Sequence, residues 1–584
     1  MDTGRLLIFL ALPMSLTRRQ FHGFLAAPAL LPLAARAQDA GFDRLVERFL
    51  EALWVLDPDA AVAAGRFEFT PRMTLPSAEQ RRKTRAFLQQ WRAEFAQAAD
   101  TGLSTSQRMD RAMLVAKLDS DLWQLDTLRE WQWNPSVHNP ASLLDLPLNT
   151  EYAPLSERLA ALQRRVAQLP AFYRAAQASL ARDGGVTREH TELAIQQAPG
   201  VQGVLDEIAK RAAEAGRAAA FKQPLAQARA ALQAYVAQLK RLLPGARRSF
   251  RLGEALYQPK FAHDIQSARS ARETYELALA RREEVLASML TQAQTLWPQV
   301  MGAEPQPADR FALIGRVIDK LSVRHVPRER FVSAIREQLP ELEAWIRDHD
   351  LLSQDRSKPL VVRETPEYER GIAGASIEAP GAYAPGGNTY YNVTPLDDLT
   401  PEQAESTLRE YNHWILQILN IHEAIPGHYT QLVHANRAPS KVKALFGNGA
   451  MIEGWAVYGE RMMIESGYGA SPEMTLMWGK WHLRSVTNTI LDYSVHVLGM
   501  KRAEALDLLT RQAFQTEREA TEKWRRVQLT SVQLTSYFSG YSEIFALREQ
   551  LKARPGFALK AFHEQFLSYG SAPVRLIAAE MLKT

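Results

Sequence analysis

The sequence predicts a mainly α-helical protein, large enough for two lobes, with one small β element. Three observations carry that expectation. Stretches rich in Ala, Leu, Arg and Gln (155–182, 203–242 and 267–296) space their apolar residues at i, i+3 and i+4 and hold few β-branched residues. Only 358–395 departs from this, with short β-type runs around Gly and Pro. At 584 residues, length alone suggests two to four domains or one large two-lobed helical body, and no fixed period marks a solenoid.

Taken in order, residues 1–37 read as an export signal. Thr17-Arg18-Arg19-Gln20-Phe21 resembles a twin-arginine motif, and an apolar run from Phe24 to Leu33 follows. Ala35-Arg36-Ala37 then has the small-x-small form of a cleavage site. The apolar stretch before Met14 is atypical for such a signal, which favours initiation at Met14 over Met1, and the mature chain, from Gln38, is expected in the periplasm. No other apolar run reaches membrane-spanning length.

Residues 38–350 are expected to form a helical N-terminal lobe. Asp57-Pro58 is a helix start, with Asp as cap acceptor and Pro where an N–H would be unpaired anyway. The Pro- and Asn-rich stretch 133–154 reads as a loop. Residues 351–584 are expected to form the catalytic lobe. Pro359-Leu360-Val361-Val362-Arg363 and Thr389-Tyr390-Tyr391-Asn392-Val393 look like strands, separated by a stretch holding Tyr383, Pro385, Gly386 and Gly387. They fit either a strand edge for an extended substrate or a hairpin covering the core. Thr400-Pro401-Glu402-Gln403 is a capping box with Pro at its first helical position. Leu408, Tyr411, Ile415 and Ile418 then step by three or four residues to His422, placing that imidazole on a buried face.

Composition excludes several classes. The net charge is +5, and without residues 1–37 the chain holds 66 basic and 64 acidic residues, so no basic field argues for nucleic acid or a membrane surface. There are no cysteines, so disulfides, thiolate metal sites and a Cys nucleophile are absent and any metal must be held by His, Asp or Glu.

The chemistry concentrates in 422–460. A water-activating zinc site needs about three protein ligands, an open position and a carboxylate to accept a proton. His422 and His428 are six residues apart, which on an ideal helix separates them by about 120°. An uninterrupted helix could not aim both at one ion. Pro426 removes a helical hydrogen bond and Gly427 tolerates unusual dihedrals, so a two-residue bulge there is expected to return His428 toward His422. Glu453 and Glu460, in Glu453-Gly454-Trp455-Ala456-Val457-Tyr458-Gly459-Glu460, share a stripe one heptad long. Glu453 is the candidate third ligand, Glu460 a carboxylate that orients a histidine, and Glu423 the general base. A purely structural set of core hydrogen bonds is the alternative, against which stands the cost of burying so many polar groups. The other His-Glu pair, His563-Glu564, reads as surface, and His413, His434 and His482 as packing or solvent-facing.

HEAIPGHYTQ together with EGWAVYGE resembles a large bacterial family called domain of unknown function 885, whose members carry HExxPGHxxQ and EGWAxYxE and resemble gluzincin metallopeptidases. The resemblance extends over nearly the whole mature chain. It implies an almost all-helical metallopeptidase-like fold with a deep cleft, one Zn2+ ion held by His422, His428 and Glu453, and Glu423 as base. Arg526 and Gln533-Leu534-Thr535-Ser536-Tyr537-Phe538-Ser539-Gly540 align with a family stretch similar to RY…PGQALSYxxG, except that Ser531-Val532 replaces its Pro-Gly. In related zincins a tyrosine of a late helix hydrogen-bonds the oxyanion, a role the resemblance offers to Tyr537 or Tyr541. Asp492 and His496, at i and i+4, echo family positions with Arg484. They fit a proton relay or second metal site, or a buried structural pair.

The expected function is a periplasmic zinc-dependent peptidase acting on peptides in an internal cleft. A zinc amidase or esterase on a non-peptide substrate, and a non-catalytic binding protein of the same fold, are the alternatives. Other divalent ions also suit a His/His/Glu set.

Overall fold

Reciprocal caps set many of the helix starts. Asp57 accepts from the Ala60 N–H and begins Pro58–Ala63. Ser104 with Gln107, Ser270 with Glu273 and Thr400 with Gln403 form capping boxes at the heads of Thr105–Trp123, Ala271–Met301 and Pro401–Glu410. The computed structural model describes residues 33–583, apart from 356–357, 366–373, 380–382, 384–387 and 439, and only the backbone of 33–40. The signal expected over 1–37 therefore lies outside the described residues as far as 32. Residues 33–37 begin the helix Leu33–Leu56. Of the stretch between the two expected strands, Tyr383 is described, whereas Pro385, Gly386 and Gly387 are outside.

The protein is mainly helical with one small sheet. The long apolar-periodic stretches resolve into successive helices, of which Leu155–Val166, Leu169–Ser179 and Arg188–Glu214 each pack on Ala218–Leu242. Stretch 133–154 is not the loop expected of it. Pro135–His138 is a 3-10 turn and Ala141–Asn149 a helix that contains Pro147. Burial decides this: Leu144, Leu146 and Leu148 enter the core from that helix, which outweighs the local turn signals.

The largest apolar core draws on both sides of residue 350. Phe49, Trp54 and Leu114 pack in it with Trp455, Ile490 and Ile544. A second core lies wholly within 73–239. In a third, Ala271–Met301 packs along Pro472–His496. Among the described residues, no helix is long and apolar enough to cross a membrane.

The sheet has three strands: β1 (Leu360–Glu364), β2 (Ala375–Glu378) and β3 (Thr389–Val393), in the order β1-β3-β2. Both expected strands form, but they pair in parallel, Val362 opposite Tyr391, and so are not a hairpin. The unforeseen β2 runs antiparallel on the other side of β3, Ile377 opposite Tyr391, and packs against the helix His413–Glu423. The buried Tyr391 hydroxyl donates to Asn420 of that helix at 3.0 Å, tying the central strand to a point two residues before His422.

The stripe from Leu408 to His422 is carried by two helices rather than one. Pro401–Glu410 stops at Tyr411, and Asn412, whose side chain accepts from the N–H groups of Trp414 and Ile415, caps the new helix His413–Glu423.

Candidate metal centre

His422 projects from the last turn of His413–Glu423, where Ile415 and Ile418 hold the buried face against the third core. The chain then leaves the helix. Ala424 takes φ −111°, ψ −83°, and a new helix starts at His428. The expected two-residue bulge is thus a full break and restart spanning 424–427. The Gly427 N–H reaches back to the Ile421 carbonyl at 2.9 Å, and the Trp455 indole N–H donates to the Pro426 carbonyl at 2.8 Å. A Cβ on Gly427 would lie 1.8 Å from the His422 carbonyl oxygen and 2.5 Å from that of Ile421, so only glycine permits this folding back.

The fold-back brings the two imidazoles to 4.8 Å between centroids, nearly perpendicular at 87°. Glu453 meets them from the helix Gly449–Glu465. Its Oε2 lies 3.4 Å from His428 Nε2 and 3.7 Å from His422 Nε2, and it is buried with no hydrogen-bond partner. Two ligands about 2.0–2.1 Å from a tetrahedral zinc sit about 3.3 Å apart. The spacing and chemistry of this orphaned oxygen and the two imidazole nitrogens therefore fit one such ion. Ligand atoms of the three residues all fall within 4.8 Å of one another.

Electrostatics follows from the enclosure. Burial alone would push the Glu453 carboxyl up, but the imidazoles of His422 and His428 hold it well below the ordinary range. Burial would lower His422, yet Glu453 and Glu460 together raise it well above its usual value. Glu460 is fully buried, and its Oε1 lies 2.6 Å from His422 Nδ1 while accepting from the Trp481 indole N–H at 3.0 Å. That arrangement directs Nε2 of His422 toward Glu453. Glu460→Gln is expected to weaken zinc binding by about 10–100-fold, read by competition with a chelator; unchanged affinity would remove its orienting role.

Glu423 ends the first histidine helix and keeps partial solvent access, and its carboxylate makes no hydrogen bond among the described residues. Burial raises its carboxyl, with the repulsion of Glu453 added and the attraction of His428 and His422 opposing. A carboxylate moved up in this way is better matched to accepting and returning a proton near neutrality.

Of the two tyrosines, Tyr537 is the one beside the cluster. It hydrogen-bonds with Arg526 and Gln533, while burial and the neighbouring Glu453 push its hydroxyl up, keeping it a protonated donor. Tyr541, one turn later, has its hydroxyl engaged by Arg461 at 2.5 Å and its ring against His482, so the oxyanion role offered to it is withdrawn.

Asp492 and His496 do not touch the ligands either. Asp492 accepts from the Tyr257 hydroxyl at 2.8 Å and the Val532 N–H at 2.9 Å, and His496 lies 2.9 Å from the carbonyls of Val527 and Thr530. Both hold the turn between Glu517–Leu529 and Ser536–Lys552, which is the buried structural pair among the readings their spacing allows and not a place around His422, His428 and Glu453. Val532 in that turn has φ +69°, a conformation suited to the glycine the resemblance expected and rarely taken by a β-branched residue. Val532 holds this conformation under strain, fastened by Asp492 and by its own burial.

His563 is not on the surface. It is fully buried, 2.7 Å from the Tyr458 hydroxyl and 2.8 Å from the Leu351 carbonyl. Sequence reasoning also missed Trp481, whose indole role has no local signal, and the buried charges Glu410, Lys480 and Lys523.

The model of the family described as bacterial protein of unknown function (DUF885) matches residues 58–581. A solved structure from Shewanella oneidensis, described as a "putative lipoprotein of unknown function", shares 46% identity with a TM-score of 0.86 over 93% of this chain and 99% of its own. A second, described as a "putative lipoprotein" from Colwellia psychrerythraea, is 17% identical with a TM-score of 0.76 over 94% of this chain and 99% of its own, a likeness of fold alone. No curated protein matches the chain.

Proposed function

The chain belongs to the family described as bacterial protein of unknown function (DUF885), and since that membership brings no reaction with it, we propose from its site that it is a zinc-dependent hydrolase acting as a peptidase. The observation that carries this reading is the convergence of His422 Nε2, His428 Nε2 and Glu453 Oε2 on one point, with Glu423 beside it. His422, His428 and Glu453 would hold the ion. Zinc, when bound, supplies a Lewis acid that polarises a carbonyl and makes water a better nucleophile.

The remaining work falls to the chain's own groups. Glu423 takes the proton from the attacking water and delivers it to the leaving amine, so that the C–N bond breaks with the water's oxygen on the acyl carbon. Tyr537, held by Arg526 and Gln533, donates to the oxygen that gains charge. Glu460 and Trp481 keep His422 turned to its task. A peptide is favoured over another amide by β2, an edge strand packed on the helix that carries Glu423, since an extended chain can add to such an edge. The twin-arginine-like segment and the lipoprotein description of the 46%-identical structure support export, with the site facing the periplasm.

Elemental analysis of the purified chain should find about one zinc per molecule after reconstitution, and only the loaded protein should generate new termini in a peptide pool read by mass spectrometry. Failure to retain any divalent metal would sink the metal centre. A loaded protein that leaves peptides intact but cleaves simple esters or amides would transfer the site to a non-peptide substrate.

A further inference from the structure

One face of the helix Glu517–Leu529 carries charge inward. Glu519, Lys523 and Arg526 fall at i, i+4 and i+7, hence on one side. Across from them, Pro472–His496 contributes Lys480 and Arg484, and the end of Pro401–Glu410 contributes Glu410. Lys480 meets Glu410 at 2.6 Å, and Arg484 meets Glu410 at 3.4 Å and Glu519 at 3.0 Å. Both carboxylates are thereby engaged, although Glu519 Oε2 stays buried without a hydrogen-bond partner. The side chain of Lys523, a residue only 7% exposed, makes no hydrogen bond or ion pair with any described residue. Arg526 donates to the neutral amide of Gln533 at 2.8 Å. Among the described residues, four cationic side chains thus surround two carboxylates, and burying the Lys523 ammonium without a hydrogen bond is costly. Burial, with Arg484 and Arg526 adding to it and Glu519 and Glu410 opposing, pushes the Lys523 ammonium well below its ordinary value.

The cluster adjoins the metal centre. The Arg484 guanidinium stands 5.4 Å from the Trp481 ring, and that ring is 6.5 Å from His422. The guanidinium therefore lies within about 12 Å of the imidazole, three to four residues of extended chain at ~3.3 Å each. Arg526 connects on the other side through Tyr537, which neighbours Glu453. Resting on the peptidase reading above, we propose that Lys523 and Arg526 bind the C-terminal carboxylate of the substrate, so that the enzyme cuts a few residues from a free C-terminus. A peptide carboxylate supplies the missing negative charge, and bound there it fixes how far from the end the scissile bond is presented.

Binding tests this apart from turnover. The zinc-loaded full chain carrying Glu423→Gln would be titrated with two N-terminally labelled pentapeptide pools of random sequence, one ending in a free carboxylate and one amidated. The free-acid pool is expected to bind at least ~10-fold tighter, and Lys523→Met, which fills the same volume without charge, is expected to erase that preference. Equal binding of the two pools overturns the proposal, as does a preference that survives Lys523→Met. Amidated peptides with an internal Asp or Glu that bind as well as free acids also overturn it, and assign the pocket to an acidic side chain. The peptidase reading fails separately, if the loaded wild type leaves intact the peptides that the Glu423→Gln chain binds.

Discussion

Glu423→Gln should lower turnover by about 10²–10⁴-fold while zinc remains bound. The carboxylate lies beside the cluster without belonging to it: the converging atoms come from His422, His428 and Glu453. Glutamine preserves size and polarity but cannot accept the proton that attack by water releases. The loss should appear in the rate of product formation, with zinc content by elemental analysis unchanged. A full rate would remove Glu423 as base. Loss of zinc would make it a ligand and demand a different base.

Gly427→Ala should damage the protein more broadly. The added carbon would sit 1.8 Å from the His422 carbonyl oxygen, and the atoms it meets are backbone, with no rotamer to yield. The break between the two histidine helices must then open, which costs about 3 kcal/mol at the upper end of overpacking strain. Because His428 starts the next helix, opening the break carries its imidazole away from Glu453. Zinc affinity is expected to fall by more than the 10–100-fold typical of an orienting residue. Chemical denaturation and chelator competition read the two effects. An alanine variant with wild-type stability and affinity would mean that the fold-back does not depend on glycine.

What is legible in the sequence follows a physical line. His422 falls on the buried face because apolar spacing along a helix is a local property, and the heptad from Glu453 to Glu460 is legible for the same reason. The capping box at Thr400 and the caps at Asp57 were equally local, and formed as read. The failures share the opposite character. The apolar stripe runs unbroken past Tyr411, so it concealed the fresh start at Asn412. β2 is four residues long and exists by pairing with β3. His563 is buried because Tyr458 and the Leu351 carbonyl, more than a hundred residues away, satisfy it. Tyr541 lost its expected place to Arg461, a partner on another helix. Lys523 resembles any solvent-facing lysine until helix Glu517–Leu529 is seen to turn that side inward.

The helices Gly449–Glu465 and Ser536–Lys552 cross at Gly454 and Gly540, where a Cβ on Gly540 would come within 1.7 Å of the Ala450 carbonyl oxygen and one on Gly454 within 2.4 Å of the Gly540 backbone. Glu453 precedes one of these glycines and Tyr537 lies one turn before the other, so the crossing sets the gap between carboxylate and phenol. For anyone redesigning selectivity, this contact is a fixed datum: libraries that vary 454 or 540 will return misfolded clones, and diversity is better spent along the edge strand β2.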